Sequence, residues 1–239
     1  MANKKGPNVY SGYGLIDWSQ VAGNVDFVLI RAGFDDSGFP QGAYFESQWV
    51  NNYTGALANN IPYGVWWFCY ALTPALARSS GEALGQYLID HNLTPNYPIY
   101  YDIEGATITD WEDHGITVTT SFVHSIIESW CEGVESKGFT AGVYFNQNMY
   151  YTYDYASMFA RHPSWSYWLA QWNTGTPTWI DWDFWQYSSG NLDPNRIPGI
   201  NANVDMNYLK DGHVPPVPPV PPPTPTRKLP IWMYLKFPF

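Results

Sequence analysis

The sequence is short of charge, short of cysteine and free of long apolar runs, and each shortage removes a class of protein. Charged residues make up 13% of the 239, with 11 basic against 21 acidic and a net charge of −10. All 21 acidic residues precede residue 213, whereas three of the basic ones, Arg227, Lys228 and Lys236, follow it. Such a negative surface repels phosphate backbones, so no nucleic-acid partner is expected. The two cysteines, Cys69 and Cys131, each lie in an apolar context. They read as buried thiols, and no disulfide framework is implied. No stretch approaches the roughly 20 apolar residues of a membrane span, so stable membrane insertion is not expected. No apolar run follows Lys4 and Lys5, so no signal peptide is expected and the chain reads as made in the cytosol.

Aromatic residues, by contrast, are abundant at 18% (13 Trp, 19 Tyr and 12 Phe). Surplus Trp and Tyr line grooves for flat amphipathic ligands such as sugars; an aromatic-rich core is the other reading. The length suits one domain of roughly 200 residues, placed at 1–212. Residues 213–226 read HVPPVPPVPPPTPT, with proline at eight positions, a polyproline II spacer rather than a folded element. Residues 227–239, RKLPIWMYLKFPF, are too few to fold alone. This basic, apolar tail is either a contact to a cell wall or other surface, or a disordered remnant.

Short apolar runs alternate with helical patterns. Strands are expected at Asn8–Tyr10, Phe27–Gly33, Tyr63–Ala71, Pro98–Gly105, Thr140–Asn146, Tyr167–Trp172, Phe184–Ser188 and Val204–Tyr208. Helices are expected at Trp18–Ala22, Phe45–Asn59, Pro74–His91 and Thr119–Lys137, with Asp17 and Thr73 as N-caps. Repeated strand–helix alternation implies parallel βαβ units. Helical patterns fade after Lys137 while strands continue, which predicts an α/β barrel that begins as β/α and ends mostly as β. Closed parallel barrels carry their chemistry at the carboxyl ends of the strands.

The segment Pro98-Ile-Tyr-Tyr-Asp-Ile-Glu-Gly105 carries the strongest chemical signal. Side chains alternate along a strand, so Tyr100, Asp102 and Glu104 share one face. Two carboxyls pointing into a barrel are costly unless used or paired. An ionised Asp102 raises the proton affinity of Glu104, and a proton-holding Glu beside an ionised Asp suits glycoside cleavage. The bland alternative is an inward salt-bridge network, for which Arg31 is the available cation. Asp205, in Asn203-Val-Asp-Met-Asn207, lies in the last expected strand, which barrel closure brings beside the first; it is a third site carboxylate or an ordinary loop-edge Asp. Trp66, Phe68 and Tyr70 alternate along one strand, Trp168 and Trp172 along another. Tyr144 and Gln186 complete a set suited to pyranose faces and hydroxyls. For each aromatic, core packing is the competing role, and Tyr70 and Trp172, nearest the carboxyl ends, are the better candidates for substrate contact.

Eight stretches, taken together in order, resemble glycoside hydrolase family 25, the Chalaropsis-type muramidases of bacteria and phage endolysins. They are Ile16-Asp-Trp-Ser-Gln-Val21, Phe27-Val-Leu-Ile-Arg-Ala-Gly33, Tyr63-Gly-Val-Trp66, Tyr101-Asp-Ile-Glu104, Ala141-Gly-Val-Tyr144, Trp168-Leu-Ala170, Trp185-Gln-Tyr187 and Val204-Asp-Met-Asn207. The resemblance implies a TIM-like (β/α)5(β)3 barrel that hydrolyses the β-1,4 bond between N-acetylmuramic acid and N-acetylglucosamine in peptidoglycan. It implies Glu104 as general acid, Asp102 assisting through the substrate acetamide, Asp205 as a third carboxylate, and no metal or organic cofactor. With no signal peptide expected, a wall-degrading domain suggests a phage endolysin or bacterial autolysin, released to the wall by another factor.

One departure stands out. The family opens with Asp-Val-Ser and then Gln-Gly. Asp17-Trp-Ser19 could stand for that opening. The alternative, which fits Val21 and the Phe27 strand better, aligns Gly14 with the family Gly and puts Asn8 where the first Asp belongs, with Tyr10 for Ser and Tyr13 for Gln. Asn keeps the shape of Asp without its charge, so a working but altered enzyme is expected. Two rivals remain at this point: a sugar-binding barrel without turnover, which Asn8 favours, and a chitin-type glycosidase, whose longer acidic signature is absent here.

Overall fold

The computed structural model describes residues 4–172, 175–190 and 196–212; the expected linker (213–226) and tail (227–239) lie outside them. Nine strands are described: β1 Lys4–Val9, β2 Val28–Asp35, β3 Ala43–Phe45, β4 Tyr63–Phe68, β5 Ile99–Asp102, β6 Ala141–Asn146, β7 Ser166–Ala170, β8 Phe184–Ser188 and β9 Asp205–Leu209. The α-helices are α1 Trp18–Val21, α2 Trp49–Ala58, α3 Pro74–Asp90, α4 Gly105–Asp113, α5 Thr120–Glu135, α6 Gln147–Thr152 and α7 Tyr155–Arg161. Among the described residues, no helix is long and apolar enough to cross a membrane.

Eight strands close into a barrel in the order β1-β2-β4-β5-β6-β7-β8-β9, with β9 returning to β1. The pairs from β1 to β8 are parallel, and β9 runs antiparallel to both neighbours. Helices follow the first five barrel strands and then stop, which is the expected (β/α)5(β)3 arrangement. Alternation along each strand sorts the side chains into two apolar layers. Phe27, Leu29, Trp66, Tyr100, Trp168 and Phe184 fill the interior. Edge-to-face contacts such as Trp66–Trp168 (6.0 Å, 77°) and Tyr100–Phe184 (5.8 Å, 83°) make this a packed plug, not a pore. The other face of the same strands meets the helices: Tyr101 stacks on Trp130 of α5 at 4.4 Å and 4°.

The helix caps come from short polar side chains. Asp17 accepts from Ser19 N (3.1 Å), Thr73 from Leu76 N (3.2 Å) and Thr119 from Phe122 N (3.2 Å). Helices α3 and α5 approach through glycines: a Cβ on Gly81 would lie 2.5 Å from the Trp130 carbonyl oxygen, and one on Gly133 2.5 Å from that of Arg78.

Several boundaries differ from expectation. The helix expected from Phe45 begins at Trp49, because residues 43–45 pair antiparallel with Gly33–Asp35 as β3. The strands expected to reach Ala71, Gly105 and Trp172 end at Phe68, Asp102 and Ala170. Tyr70, Glu104 and Trp172 thus stand on the loops just past their strands, at the mouth of the barrel. An unexpected helix, α4, starts directly after Glu104. Helices also persist past Lys137 as the short α6 and α7, capped by Asn146 and Asp154. At six and seven residues they are too short to show a sustained 3.6-residue period.

Candidate active site

The mouth gathers the carboxyls that the strand pattern places there. Asp102 ends β5 between Phe68 of β4 and Tyr144 of β6, both interior residues, and is buried at 3% exposure. Ile103 turns outward into the helix layer, so Glu104 returns to the Asp102 side. Glu104 is the N-cap of α4 with extended backbone (φ −129°, ψ −179°), and its amide donates to Thr107 Oγ1 at 3.3 Å. The Thr107 hydroxyl donates in turn to the Cys69 carbonyl oxygen, 2.9 Å away, which ties the start of α4 to the exit of β4.

Burial raises the proton affinity of both carboxyls. Burial holds Asp102 well above the usual carboxylate range, the Glu104 charge adds to this, and Arg31 opposes it. Glu104 is also raised by burial, against a hydrogen bond from Tyr144, with the charge of Asp205 adding to the rise. Burial thus favours the protonated form of both acids, where an ionised Asp102 had been expected. Its Oδ1 finds no hydrogen-bond partner among the described residues, although it is buried.

The salt-bridge alternative does not hold. Arg31 pairs with Glu46, whose second carboxylate oxygen accepts from Ser11 N at 2.7 Å. Its guanidinium packs over the rings of Tyr10 (4.5 Å) and Trp66 (5.1 Å). Among the described residues neither Asp102 nor Glu104 forms a salt bridge.

Closure of the barrel sets Asn8 of β1 directly opposite Asp205 of β9. Their side chains join: Asn8 Nδ2 donates to Asp205 Oδ2 at 3.2 Å, and Gly190 N donates to Asp205 Oδ1 at 2.8 Å. The direction of this bond is dictated from further away. Trp168 Nε1 donates to Asn207 Oδ1 (2.8 Å) and Trp172 Nε1 to Gln186 Oε1 (2.8 Å). An indole N–H only donates, so both amides must turn their oxygens to the indoles and their nitrogens away. Those nitrogens donate to Asn8 Oδ1, from Gln186 at 3.1 Å and from Asn207 at 3.0 Å. With its oxygen doubly engaged, Asn8 can only present its NH2 group to Asp205. Tyr144 connects this network to the acid: its hydroxyl reaches Gln186 Oε1 (3.0 Å) and also hydrogen-bonds Glu104.

The ten candidate residues therefore converge on one region, in different settings. Trp66, Phe68, Tyr144 and Gln186 are at most 8% exposed and form floor and walls; Tyr70 and Trp172 stand higher, Trp172 at 41% exposure. Sequence reasoning missed Glu46, Ser11 and the Tyr10 ring, which hold Arg31 away from the acids. Their only signal was an acidic residue after the aromatic run Tyr44-Phe45. Among the described residues no group of three or more His, Cys, Asp or Glu could hold a metal ion.

Comparison with known proteins bears on the family and the fold. No curated protein matches the sequence. Similar solved structures include the modular autolysin LytC of Streptococcus pneumoniae in complex with a synthetic peptidoglycan ligand (TM-score 0.70, 23% identity, 87% of this chain and 46% of that one). This chain thus spans about half the length of that autolysin. A bacterial lysozyme of Streptomyces coelicolor (TM-score 0.63, 21% identity) is covered over 93% of its chain by 87% of this one. The catalytic domain of endolysin ply40, from bacteriophage P40 of Listeria monocytogenes, matches with TM-score 0.65 and 16% identity, over 88% of this chain and 94% of that one. At these identities the structures speak for the fold alone. The sequence itself matches the family model described as glycosyl hydrolases family 25 over residues 8–195, so the chain belongs to that family.

Proposed function

We propose that the protein hydrolyses peptidoglycan, cutting the β-1,4 bond between N-acetylmuramic acid and N-acetylglucosamine. The observation that carries this reading is the pair Asp102–Glu104, free of salt links and raised by burial, at the mouth of an aromatic-floored barrel. Glu104 holds a proton above the ordinary carboxylate range and is the general acid for the leaving oxygen. Asp102, whose buried Oδ1 is unmatched, orients the acetamide of the sugar whose anomeric carbon reacts. Asp205, fixed by Asn8 and Gly190, supplies negative charge facing the positive charge that develops on the ring. Tyr70, Trp172, Tyr144 and Gln186 receive the sugars. The endolysin and autolysin neighbours favour an enzyme that reaches the wall after release by another factor, with residues 213–226 as spacer and 227–239 as a wall contact.

Purified walls test the reading. The wild type should clear a wall suspension, with N-acetylmuramic acid at the new reducing ends. Glu104→Gln should lose about 10²- to 10⁴-fold in rate. Equal clearance by both proteins, or reducing ends of N-acetylglucosamine, would overturn it. A sugar-binding barrel without turnover is the second reading, favoured by Asn8; it requires that the wild type bind walls and release no reducing ends.

A further inference from the structure

A second concavity adjoins the carboxyls. Past the exits of β2 and β4, beside α4, lies a groove of about 350 Å³ bounded by Phe34, Asp36, Tyr70, Leu72, Asp110 and His114. It is continuous with the acids through two elements. Helix α4 begins at the residue after Glu104 and carries Asp110, with His114 as its C-cap. Tyr70 faces both sides: its hydroxyl is raised first by burial, and then feels Asp110 from the groove and Glu104 and Asp102 from the mouth.

An unbroken series of ring contacts marks the same path. Phe68, beneath Arg31, touches Tyr70 at 4.9 Å, and Tyr70 meets Phe34 edge-on at 6.0 Å and 89°. Phe34 packs on Tyr44 at 4.7 Å, and Tyr44 meets Phe39 at 4.8 Å. Phe39 is 44% exposed. Tyr44 belongs to β3, the strand outside the barrel, and Phe39 to the turn before it. The added hairpin thus lengthens the aromatic wall in one direction away from the acids.

We propose that this groove is a further saccharide subsite, which holds a pyranose unit of the glycan strand beyond those at the reacting bond. The inference rests on the glycan-cleaving reading above. Ring faces with a few polar groups suit a sugar, and Asp36, Asp110 and His114 can accept from its hydroxyls. Charge favours the neutral N-acetylglucosamine unit, because the carboxylates of a stem peptide, like the lactyl carboxylate of a peptide-free N-acetylmuramic acid, would face Asp36 and Asp110 with no cation in the groove wall but a protonated His114.

The test uses glycan oligomers of alternating N-acetylglucosamine and N-acetylmuramic acid, free of peptide, titrated calorimetrically into full-length Glu104→Gln protein. One oligomer is just long enough to span the reacting bond, and others are progressively longer. Adding Phe34→Ala should cost the longer oligomers up to about tenfold in affinity, the loss of one aromatic contact, and leave the shortest unaffected. Asp110→Asn, half-buried on helix α4, should shift the same length dependence and serves if Phe34→Ala fails to fold. Equal losses at every length, or none, would overturn the subsite. So would a loss seen only with peptide-bearing oligomers, which would make the groove a peptide site. Failure of the underlying reading looks different: wild-type protein would then leave walls intact and bind no oligomer of any length.

Discussion

Asn8→Asp restores the residue expected from the family opening and puts two carboxyls where an amide now meets a carboxylate at 3.2 Å. Asn8 Oδ1 already accepts from Gln186 and Asn207, so an aspartate keeps those bonds and loses only the donor aimed at Asp205. Two unit charges 3.2 Å apart repel by about 5 kcal/mol at an effective dielectric of ~20. That corresponds to a rise of about three to four pKa units for the second ionisation. From an ordinary value near ~3.9 it moves to about 7–8. Below that pH the pair keeps one proton, the new carboxyl donates to Asp205, and the network is intact. The sign is fixed by linkage: a carboxyl raised in the folded state stabilises below its unfolded pKa, and the contribution fades as pH rises through the folded value. The variant should approach the wild-type Tm only near pH ~4, and by pH ~5 it should already have lost about 1.5 kcal/mol. At pH ~8 it should fall below it by about 4–5 kcal/mol, the repulsion between the two charges, or roughly 10–15 °C for a domain of this size. The second charge also raises the proton affinity of Glu104, so the alkaline limb of the kcat/KM profile should move up in pH. Thermal unfolding at both pH values decides the matter. A Tm difference that is the same at pH ~5 and ~8, or a variant more stable than wild type at pH ~8, would refute the amide orientation derived from the two indoles.

Two further predictions follow from burial and close packing. Burial pushes Asp35 up to about 6, despite donors that include Ser80, Tyr101 and Trp67, and raises Asp102 and Glu104 as well. For all three the stabilising share is complete below the unfolded carboxyl pKa and is lost as pH rises through the folded values. Asp35 alone contributes about 3 kcal/mol across that window, so the urea midpoint should be higher at pH ~5 than at pH ~7.5; the reverse order would show that these carboxyls are not desolvated. At the α3–α5 contact, Gly81→Ala would gain about 0.5–1 kcal/mol from helix propensity alone. The added Cβ meets the Trp130 carbonyl at 2.5 Å, so we expect a net loss of about 1–3 kcal/mol, measured by urea unfolding. A stabilised Gly81→Ala protein would mean that the helices separate without cost.

The barrel was legible because strand burial and turn chemistry act locally. The runs Phe27–Gly33 and Thr140–Asn146 are β-rich and apolar, and Asp17 and Thr73 are caps whose partners lie two or three residues away. What stayed hidden depended on non-local pairing. Ala43-Tyr-Phe45 is extended only because Gly33–Asp35 offers an edge; alone, the segment continues the helical pattern that follows. The end of β5 was hidden for a related reason. Glu104 stays extended as a helix cap, so period-two reasoning carried the strand past Asp102, although the side of the barrel assigned to Glu104 was correct.

In the site, residue types were legible and their hydrogen-bond direction was not. Asp102, Glu104, Asp205 and Asn8 could be named from strand position and from resemblance, since each is the polar residue where an apolar alternation breaks. That both acids are hard to ionise depends on depth, and for Asp102 depth comes from Phe68 and Tyr144 on either side, neighbours contributed by two other strands. The role of Asn8 is more remote still. Its amide is oriented by indoles at positions 168 and 172, through amides at 207 and 186. Those residues lie far along the chain and meet Asn8 only once the barrel has closed. An asparagine at position 8 read as a lost charge is therefore half of the physics. In the closed barrel it is also a directed donor, and a replacement that recovers the charge must give up that donor whenever both carboxyls are ionised.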